Sequence, residues 1–433
     1  MSVLDAHQLA EGVDKQRQLA EQLFQTLLDR TRDTEGVTRA GWGEGEQAAV
    51  ELLHDVAHSL GLETSFDELG QIYITLPGRD RSEPQILIGS HLDSIPRGGN
   101  FDGYAGVVAG VVSLATLKEA GAVPQGDITV MGIRGEESVW YGIAYIGSRF
   151  AVGDLPFSEL EQLHRADTRR SIIEHISACG YDTAKLQQEI KGRISPENTK
   201  AYLELHIEQG PVLDEREIPV AIPSAIRGNV RYPEARCLGR YGHASAAPID
   251  NRQDAMLAVA ELIHRFDLFW QEQIASGAPD TQLSVGRVHT DSDRDGMTIV
   301  AGECRFTFNF GGTTSEFIAA GEAQLESLVT EIATRRNVKF EMERRVSSEP
   351  VVLNEGLRSL LFELAADHQV PCHEMATVGH DAAVFSKADI PTAMILVRNQ
   401  NGSHNPEEAM RMVDFMQGTH ILTSAALRLA GET

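Results

Sequence analysis

Four short apolar runs, each leading into polar residues able to carry chemistry, constrain this chain more than any other feature. QILIGS (Gln85–Ser90) runs into His91 and Asp93, and DITVMGI (Asp127–Ile133) runs into Glu136 and Glu137. AYLELHI (Ala201–Ile207) carries His206 and leads to Glu208 and Gln209, while TAMILV (Thr392–Val397) leads through RNQNGSHNPEE to His404. Helical stretches of roughly 10–15 residues alternate with runs of this kind, DGYAGVVAGVVSLATLKEAG being the clearest. That alternation predicts an α/β domain: a mixed sheet with much parallel pairing, covered by helices. In such sheets ligands gather at the carboxyl ends of strands, so the four polar tails are expected at one rim.

The pattern changes between about Ala221 and Arg345, where strand, helix, two strands, helix and strand follow in order. A βαββαβ run is a self-contained α+β unit of ferredoxin-like type, inserted into the α/β domain, which resumes near Pro350. At 433 residues the chain exceeds one ordinary core. The expected division is residues 1–220 with 346–433 for the discontinuous α/β domain and 221–345 for the insertion. Met1–Thr31 reads as an amphipathic helix and not as a signal peptide, because polar and acidic residues interrupt any apolar core. No apolar run approaches the ~20 residues that span a bilayer. A formal net charge of −25 argues against nucleic-acid partners, which require basic patches. Cys179, Cys237, Cys304 and Cys372 are scattered without a CxxC pair and read as reduced thiols. The expectation is a soluble, cytoplasmic protein with neither nucleic-acid nor membrane partners.

The strand ends carry the chemistry. His91, Asp102, Glu137, His206 and His404 make a nitrogen–oxygen donor set suited to zinc, manganese, cobalt or nickel. Asp102 opens a helix in FDGYAGVV, where Gly103 permits a sharp turn and a carboxylate suits the helix dipole. Asp93, two residues past His91, is placed to orient that ring through its second nitrogen. His404 precedes Asn405-Pro406-Glu407-Glu408, which reads as a cap and a proline-first helix start. Taken singly, an HxD is weak, Asp102 reads as a helix cap and Glu136-Glu137 as a solvated pair. Four strand ends carrying ligand types together are not a coincidence of that order.

GSHLDSIPRGGNFDGYAGVVAG, GEES, LELHIEQGPVLD, GRYGHASAAP, GHDAAVF and NGSHNPEE occur in this order across nearly the whole chain. Together they resemble the hydantoinase/carbamoylase branch of the M20 metallopeptidase-like amidohydrolases, which includes N-carbamoyl-L-amino acid hydrolases, allantoate amidohydrolases, ureidoglycolate hydrolases and β-ureidopropionases. The resemblance implies two divalent metal ions per subunit. Asp102 would bridge them, with His91 and His206 on one ion and Glu137 and His404 on the other. It implies Glu136 as general base and Gln209 as a hydrogen-bond partner of the substrate's ureido or amide group. It also makes the insertion a lid and homodimerisation domain, whose His243 would stabilise the oxyanion.

Two departures bear on the substrate. Where the family carries an Asn on the second strand of the insertion, and later an Asp-x-Arg that grips a substrate carboxylate, this chain has Thr298, Asn309 and Gly311. Losing a bidentate arginine is not conservative; Arg398 and, less directly, Arg227 are the candidate replacements, or the substrate has no carboxylate there. ESVWYG also replaces a Gly-Ser-Arg-Phe-like run, so Trp140 and Tyr141 either reshape a pocket wall or pack in the core. The activity expected is metal-dependent hydrolysis of an N-carbamoyl (ureido) amino acid or related ureide to amine, carbon dioxide and ammonia. An N-acyl amino acid or amide hydrolase is the second enzymatic reading, and a non-catalytic small-molecule-binding relative the third.

Overall fold

In the computed structural model, which describes residues 5–187, 192–278 and 280–431, the chain divides into two compact units. One comprises Met1–Ser224 and Leu353–Thr433, the other Ala225–Val352. The divisions fall a few residues beyond those read from the sequence, because the strand Val220–Ile226 runs through the first of them.

The first unit is built on a mixed sheet. Its strands are β1 (Glu63–Phe66), β2 (Ile72–Leu76), β3 (Gln85–His91), β4 (Ile128–Ile133), β5 (Thr199–Ile207) and β6 (Val220–Ile226), with a late strand at Thr392–Val397. Their order is β1, β2, β4, β3, β5, Thr392–Val397, β6. β4, β3, β5 and Thr392–Val397 are mutually parallel, and antiparallel strands flank them. The parallel strands are buried throughout or nearly so, which is why they read as continuous apolar runs and not as alternating ones. The helix Tyr104–Glu119 is buried on almost every side through its first fourteen residues. It packs against Met412–Ala430, where Ser113 and Thr423 hydroxyls meet at 2.8 Å. No helix among the described residues is long and apolar enough to cross a membrane.

Two local expectations need correction. The N-terminal segment is two helices, Ala6–Lys15 and Arg17–Thr31, broken at Gln16. The Gln16 N–H bonds back to Val13 and Asp14 carbonyls while its side chain reaches Glu119; Met1–Leu4 lie outside the described residues. No helix starts at Pro406. Asn405 uses its side chain to accept the Glu407 N–H (2.9 Å), a turn, and the chain then returns as Ala409–Met410 to pair with Asn399–Gln400.

The second unit is an antiparallel sheet with two helices, Ala255–Ala275 and Ser315–Arg336. Gly228–Leu238 and Glu303–Gly312 lie at its centre. Gln282–Ser284 and Val288–His289 pair with the latter, and Lys339–Glu341 and Val346–Ser348 with the former. Along the Glu303–Gly312 strand, Cys304, Phe306, Phe308 and Phe310 are buried while the residues between them are not. That period of two places the phenylalanines in one core with Phe266 of the first helix.

A buried ion pair supports the segment after β4. Arg134 and Glu46 meet at 2.6 Å with both side chains fully buried. Glu46 also accepts the Trp42 and Gly135 N–H groups at 2.6 and 3.0 Å. Glu46→Ala is expected to destabilise the fold by about 3–5 kcal/mol, since it strands a buried guanidinium. Urea denaturation checks this, an unchanged midpoint being the contrary result.

Candidate metal centre

Because β3, β4, β5 and Thr392–Val397 run parallel, their carboxyl ends share one rim. His91 closes β3, the Arg134–Glu137 segment follows β4, and His206 stands one residue from the end of β5. Asp102 is presented beside them by a turn that only glycine permits. Gly103 has φ +68°, and a Cβ on it would lie 2.4 Å from the His91 ring.

The side chains converge tightly. Asp102 Oδ1 lies 3.4 Å from His91 Nε2 and 3.2 Å from His206 Nε2, and the two imidazole nitrogens are 3.4 Å apart. Asp102 Oδ2 lies 3.4 Å from His404 Nε2, which is 3.3 Å from Glu137 Oε1. Two donor groups, His91–Asp102–His206 and Asp102–Glu137–His404, therefore share one carboxylate.

The hydrogen bonds around the rings set their tautomers. His91 Nδ1 is 3.1 Å from the Asp93 main-chain oxygen, and His206 Nδ1 is 2.9 Å from that of Ile207. A carbonyl only accepts, so each Nδ1 carries the hydrogen and each Nε2 turns a lone pair toward Asp102. The Gly103 N–H donates to His206 Nε2 at 3.2 Å, in keeping with this. Asp102 Oδ1 is buried without a hydrogen-bond partner. Two lone pairs and a carboxylate oxygen aimed at one point are what a divalent cation satisfies.

Without a cation, protons fill part of that need. Burial opposes charge on His91, yet its contacts with Asp102 and Asp93 outweigh it and hold the ring well above its ordinary pKa. His404 is raised to about 9, first by its hydrogen bond to Glu137 and against burial. Below that value the ring keeps a proton that an ion must displace. Metal uptake by the metal-free chain is therefore expected to release protons near neutral pH and to tighten as pH rises toward about 9. Titration in weak buffer with a pH indicator measures this; uptake without proton release is the contrary result.

Asp93 plays a different part from the one read in the sequence. His91 Nδ1 leans on the Asp93 main-chain oxygen, and the carboxylate is farther, at 3.6 Å. The Asp93 carboxylate instead accepts the Glu136 and Glu137 N–H groups, each at 3.0 Å, so it holds the glutamate pair. Glu136 is partly buried, and burial with the neighbouring Glu137 charge raises its carboxyl well above the usual range, against the pull of His91. Glu208 turns away from the rim and caps the helix Val212–Glu215 through the Val212 and Leu213 N–H groups.

Four buried residues that were given no role from the sequence adjoin these groups. Glu204 accepts from Ser90 Oγ (3.0 Å) and Ala382 N–H (2.9 Å), and with His206 and His380 it forms a third convergent group. Burial and Glu204 push the Asp381 carboxyl up to about 7. Burial and Asp102 do the same for Glu408. The signals were available: alternation along β5 puts Glu204 on the His206 face, GHDAAVF contains His380 and Asp381, and SHNPEE contains Glu408.

The candidate substrate residues fare differently. Gln209, at φ +65°, donates its side-chain N–H to Asp102 Oδ2 at 3.0 Å and leaves Oε1 buried and unpartnered. Arg398 does not stand free as a carboxylate clamp. It is 5% exposed and bonded to the buried Asp414 at 2.9 Å, so a second carboxylate would have to displace that ion pair. In the second unit, Arg227 is engaged by Asp280 at 3.0 Å, and Thr298 is exposed with its carbonyl accepting the Ala244 N–H. His243 is exposed, on a strand pair with Ile299, and its Nδ1 accepts the Ser245 N–H at 3.2 Å. Gly311 has no room for any side chain, since a Cβ there would lie 2.3 Å from the Gly228 carbonyl oxygen. Trp140 and Tyr141 pack in a buried aromatic cluster with Trp42, bonded to the Ser94 and Gly41 carbonyls. Their role is core packing.

Residues 87–428 match the model of peptidase family M20/M25/M40. The chain is 30% identical over 416 residues to an N-carbamoyl-L-amino acid amidohydrolase of Geobacillus stearothermophilus, covering 95% of this chain and 98% of that one. It is 28% identical to an allantoate amidohydrolase of Escherichia coli K12, covering 86% of this chain and 87% of that one. A crystal structure of an amidase of the hydantoinase/carbamoylase family from Burkholderia multivorans superposes with a TM-score of 0.86 at 24% identity, over 96% of this chain and 98% of that one.

Proposed function

The chain belongs to peptidase family M20/M25/M40, and from that membership we propose that it cleaves a linear C–N bond of an N-carbamoyl (ureido) amino acid or related ureide. The products are the amine, carbon dioxide and ammonia, and the reaction is metal-dependent. The observation that carries this proposal is the shared carboxylate: Asp102 faces His91 and His206 with one oxygen and His404 with the other. Relatives whose names specify N-carbamoyl amino acids and allantoate support the substrate class.

His91 and His206 would hold one divalent ion and Glu137 and His404 a second, with Asp102 common to both. Zinc, manganese, cobalt and nickel all suit the set. Bound there, the ions supply Lewis-acid polarisation of the scissile carbonyl and acidify the attacking water. The protein does the rest. Glu136 takes the water's proton on its carboxylate and passes it to the leaving nitrogen. Asp93 keeps the Glu136 main chain in place for that transfer. Gln209 offers its unpartnered Oε1 to a ureido N–H. His243 donates to the developing oxyanion, within a homodimer formed through the second unit. Four thiols outside any disulfide suit a cytoplasmic enzyme.

A second substrate reading rests on Gly311 and Arg398. With no side chain possible at one and the other bound to Asp414, the substrate of this chain lacks the carboxylate that an arginine would grip. Ammonia release by the metal-loaded protein tests both, with N-carbamoyl-L-amino acids, ureidoglycolate, allantoate and β-ureidopropionate set against carboxylate-free ureas and simple amides. Turnover of the carboxylated ureides, lost in Glu136→Gln, supports the first reading, and turnover confined to the carboxylate-free panel supports the second. Hydrolysis that frees a carboxylic acid without ammonia marks an N-acyl hydrolase, and silence on every compound marks a binding protein.

A further inference from the structure

The five side chains proposed to hold ions are not equally anchored. His91 and His206 lie on strands of the central sheet and are 3% and 0% exposed. His404 sits on the loop of the hairpin closed by Asn399–Gln400 and Ala409–Met410, with φ +60° and half its side chain in solvent. The hairpin base is fastened to the end of β5, because Asn399 Oδ1 accepts the Gln209 N–H at 2.9 Å. The loop itself has no strand to hold it.

Glu408 supplies the tie. The residue is 7% exposed. Oε1 accepts the Phe101 N–H at 2.8 Å and the Asp102 N–H at 3.2 Å, and Oε2 meets the Ser403 hydroxyl at 2.8 Å. That hydroxyl also meets Asp102 Oδ2. Gly99 leaves the space for this, since a Cβ there would lie 2.1 Å from the Glu408 carboxyl. One side chain therefore grips the peptide of Asp102 itself and the residue immediately before His404, two segments about 300 positions apart in the chain.

We propose that Glu408 is a positioning residue: it sets the spacing of Asp102 and His404, and through it the affinity of the Asp102–Glu137–His404 group for its ion. The proposal rests on the two-ion reading above. As Asp93 joins His91 to the Glu136–Glu137 segment, Glu408 joins Asp102 to the loop that carries His404.

The test titrates the metal-free wild-type chain, E408A and E408Q with Co²⁺, following the visible ligand-field absorption and, separately, the melting temperature of each metal-free protein. The wild type is expected to take two equivalents. In E408A the weaker equivalent should lose about 10–100-fold in affinity, the usual effect of removing a group that orients metal ligands, with a changed absorption spectrum. In E408Q the amide oxygen still accepts both N–H groups and the NH₂ meets Ser403, so binding and spectrum should return to those of the wild type. The proposal is overturned if E408A binds both ions as the wild type does, or if E408Q is as weak as E408A while both melt lower. A wild-type chain that takes fewer than two equivalents overturns the two-ion reading, and the proposal with it.

Discussion

Glu136→Gln is expected to lower kcat on the preferred ureide by about 10²–10⁴-fold, the range for loss of a positioned general base, while leaving metal content unchanged. The two halves of that result separate the adjacent glutamates. Glu137 Oε1 faces His404 at 3.3 Å and belongs to a donor group. Glu136 belongs to none of the convergent groups among the described residues, and its carboxyl is raised well above the usual range by burial and by Glu137. A carboxylate of raised basicity takes a proton more readily than an ordinary one. The substitution keeps size and hydrogen-bonding capacity and removes only that basicity. The measurement is kcat by ammonia release beside metal content by atomic emission. Loss of an ion would make Glu136 a ligand, and undiminished turnover would remove it from the chemistry.

Much of this arrangement was legible because strand ends concentrate it. His91, Glu137, His206 and His404 were named from apolar runs that stop at polar residues, and Asp102 from the helix start at FDGYAGVV; a parallel sheet turns such stops into neighbours. The second unit was legible in part: Phe306, Phe308 and Phe310 alternate with polar residues at the period of a half-buried strand, whereas TQLSVGRVHT, read as one strand, is the two short strands Gln282–Ser284 and Val288–His289. What the sequence concealed lies in hydrogen bonds made by atoms that carry no pattern. Nothing in HLD tells whether the Asp93 carboxylate or its carbonyl meets the His91 ring; the main chain decides, freeing the carboxylate for Glu136 and Glu137. Arg398 looked available because it stands six residues before His404, whereas its partner Asp414 comes from the following helix, beyond the range of local inspection. Asn405-Pro406 has the composition of a helix start, yet the pairing of Asn399–Gln400 with Ala409–Met410 closes the segment as a hairpin first. Each miss is a specific hydrogen bond or strand pairing that composition alone does not encode.

Asp102→Asn is expected to be the most damaging substitution at the rim for activity, and milder for the metal-free fold than Asp102→Ala. Asp102 Oδ2 accepts from Gln209 Nε2 and from Ser403 Oγ, so an asparagine at this position keeps its oxygen on that side. Its NH₂ then occupies the place of Oδ1, 3.4 Å from His91 Nε2 and 3.2 Å from His206 Nε2. One of its hydrogens faces the His91 lone pair, while His206 Nε2 also accepts the Gly103 N–H. The need that a cation or a proton meets in the wild type is met in part by the amide, at no cost in volume. Both donor groups lose their shared anion at once, so metal content should fall and kcat/KM should drop by at least about 10³-fold, as several kcal/mol of transition-state stabilisation depart with the ions. The melting temperature of the metal-free protein should lie between those of the metal-free wild type and Asp102→Ala, because the asparagine NH₂ still meets the His91 ring while the carboxylate that holds this ring above its ordinary pKa is gone. Asp102→Ala separates the effects: it too should lose the ions, but it leaves His91 Nε2 without a partner and should melt lower than Asp102→Asn. An Asp102→Asn protein that retains two ions and its turnover would show that the two donor groups do not depend on the carboxylate they share.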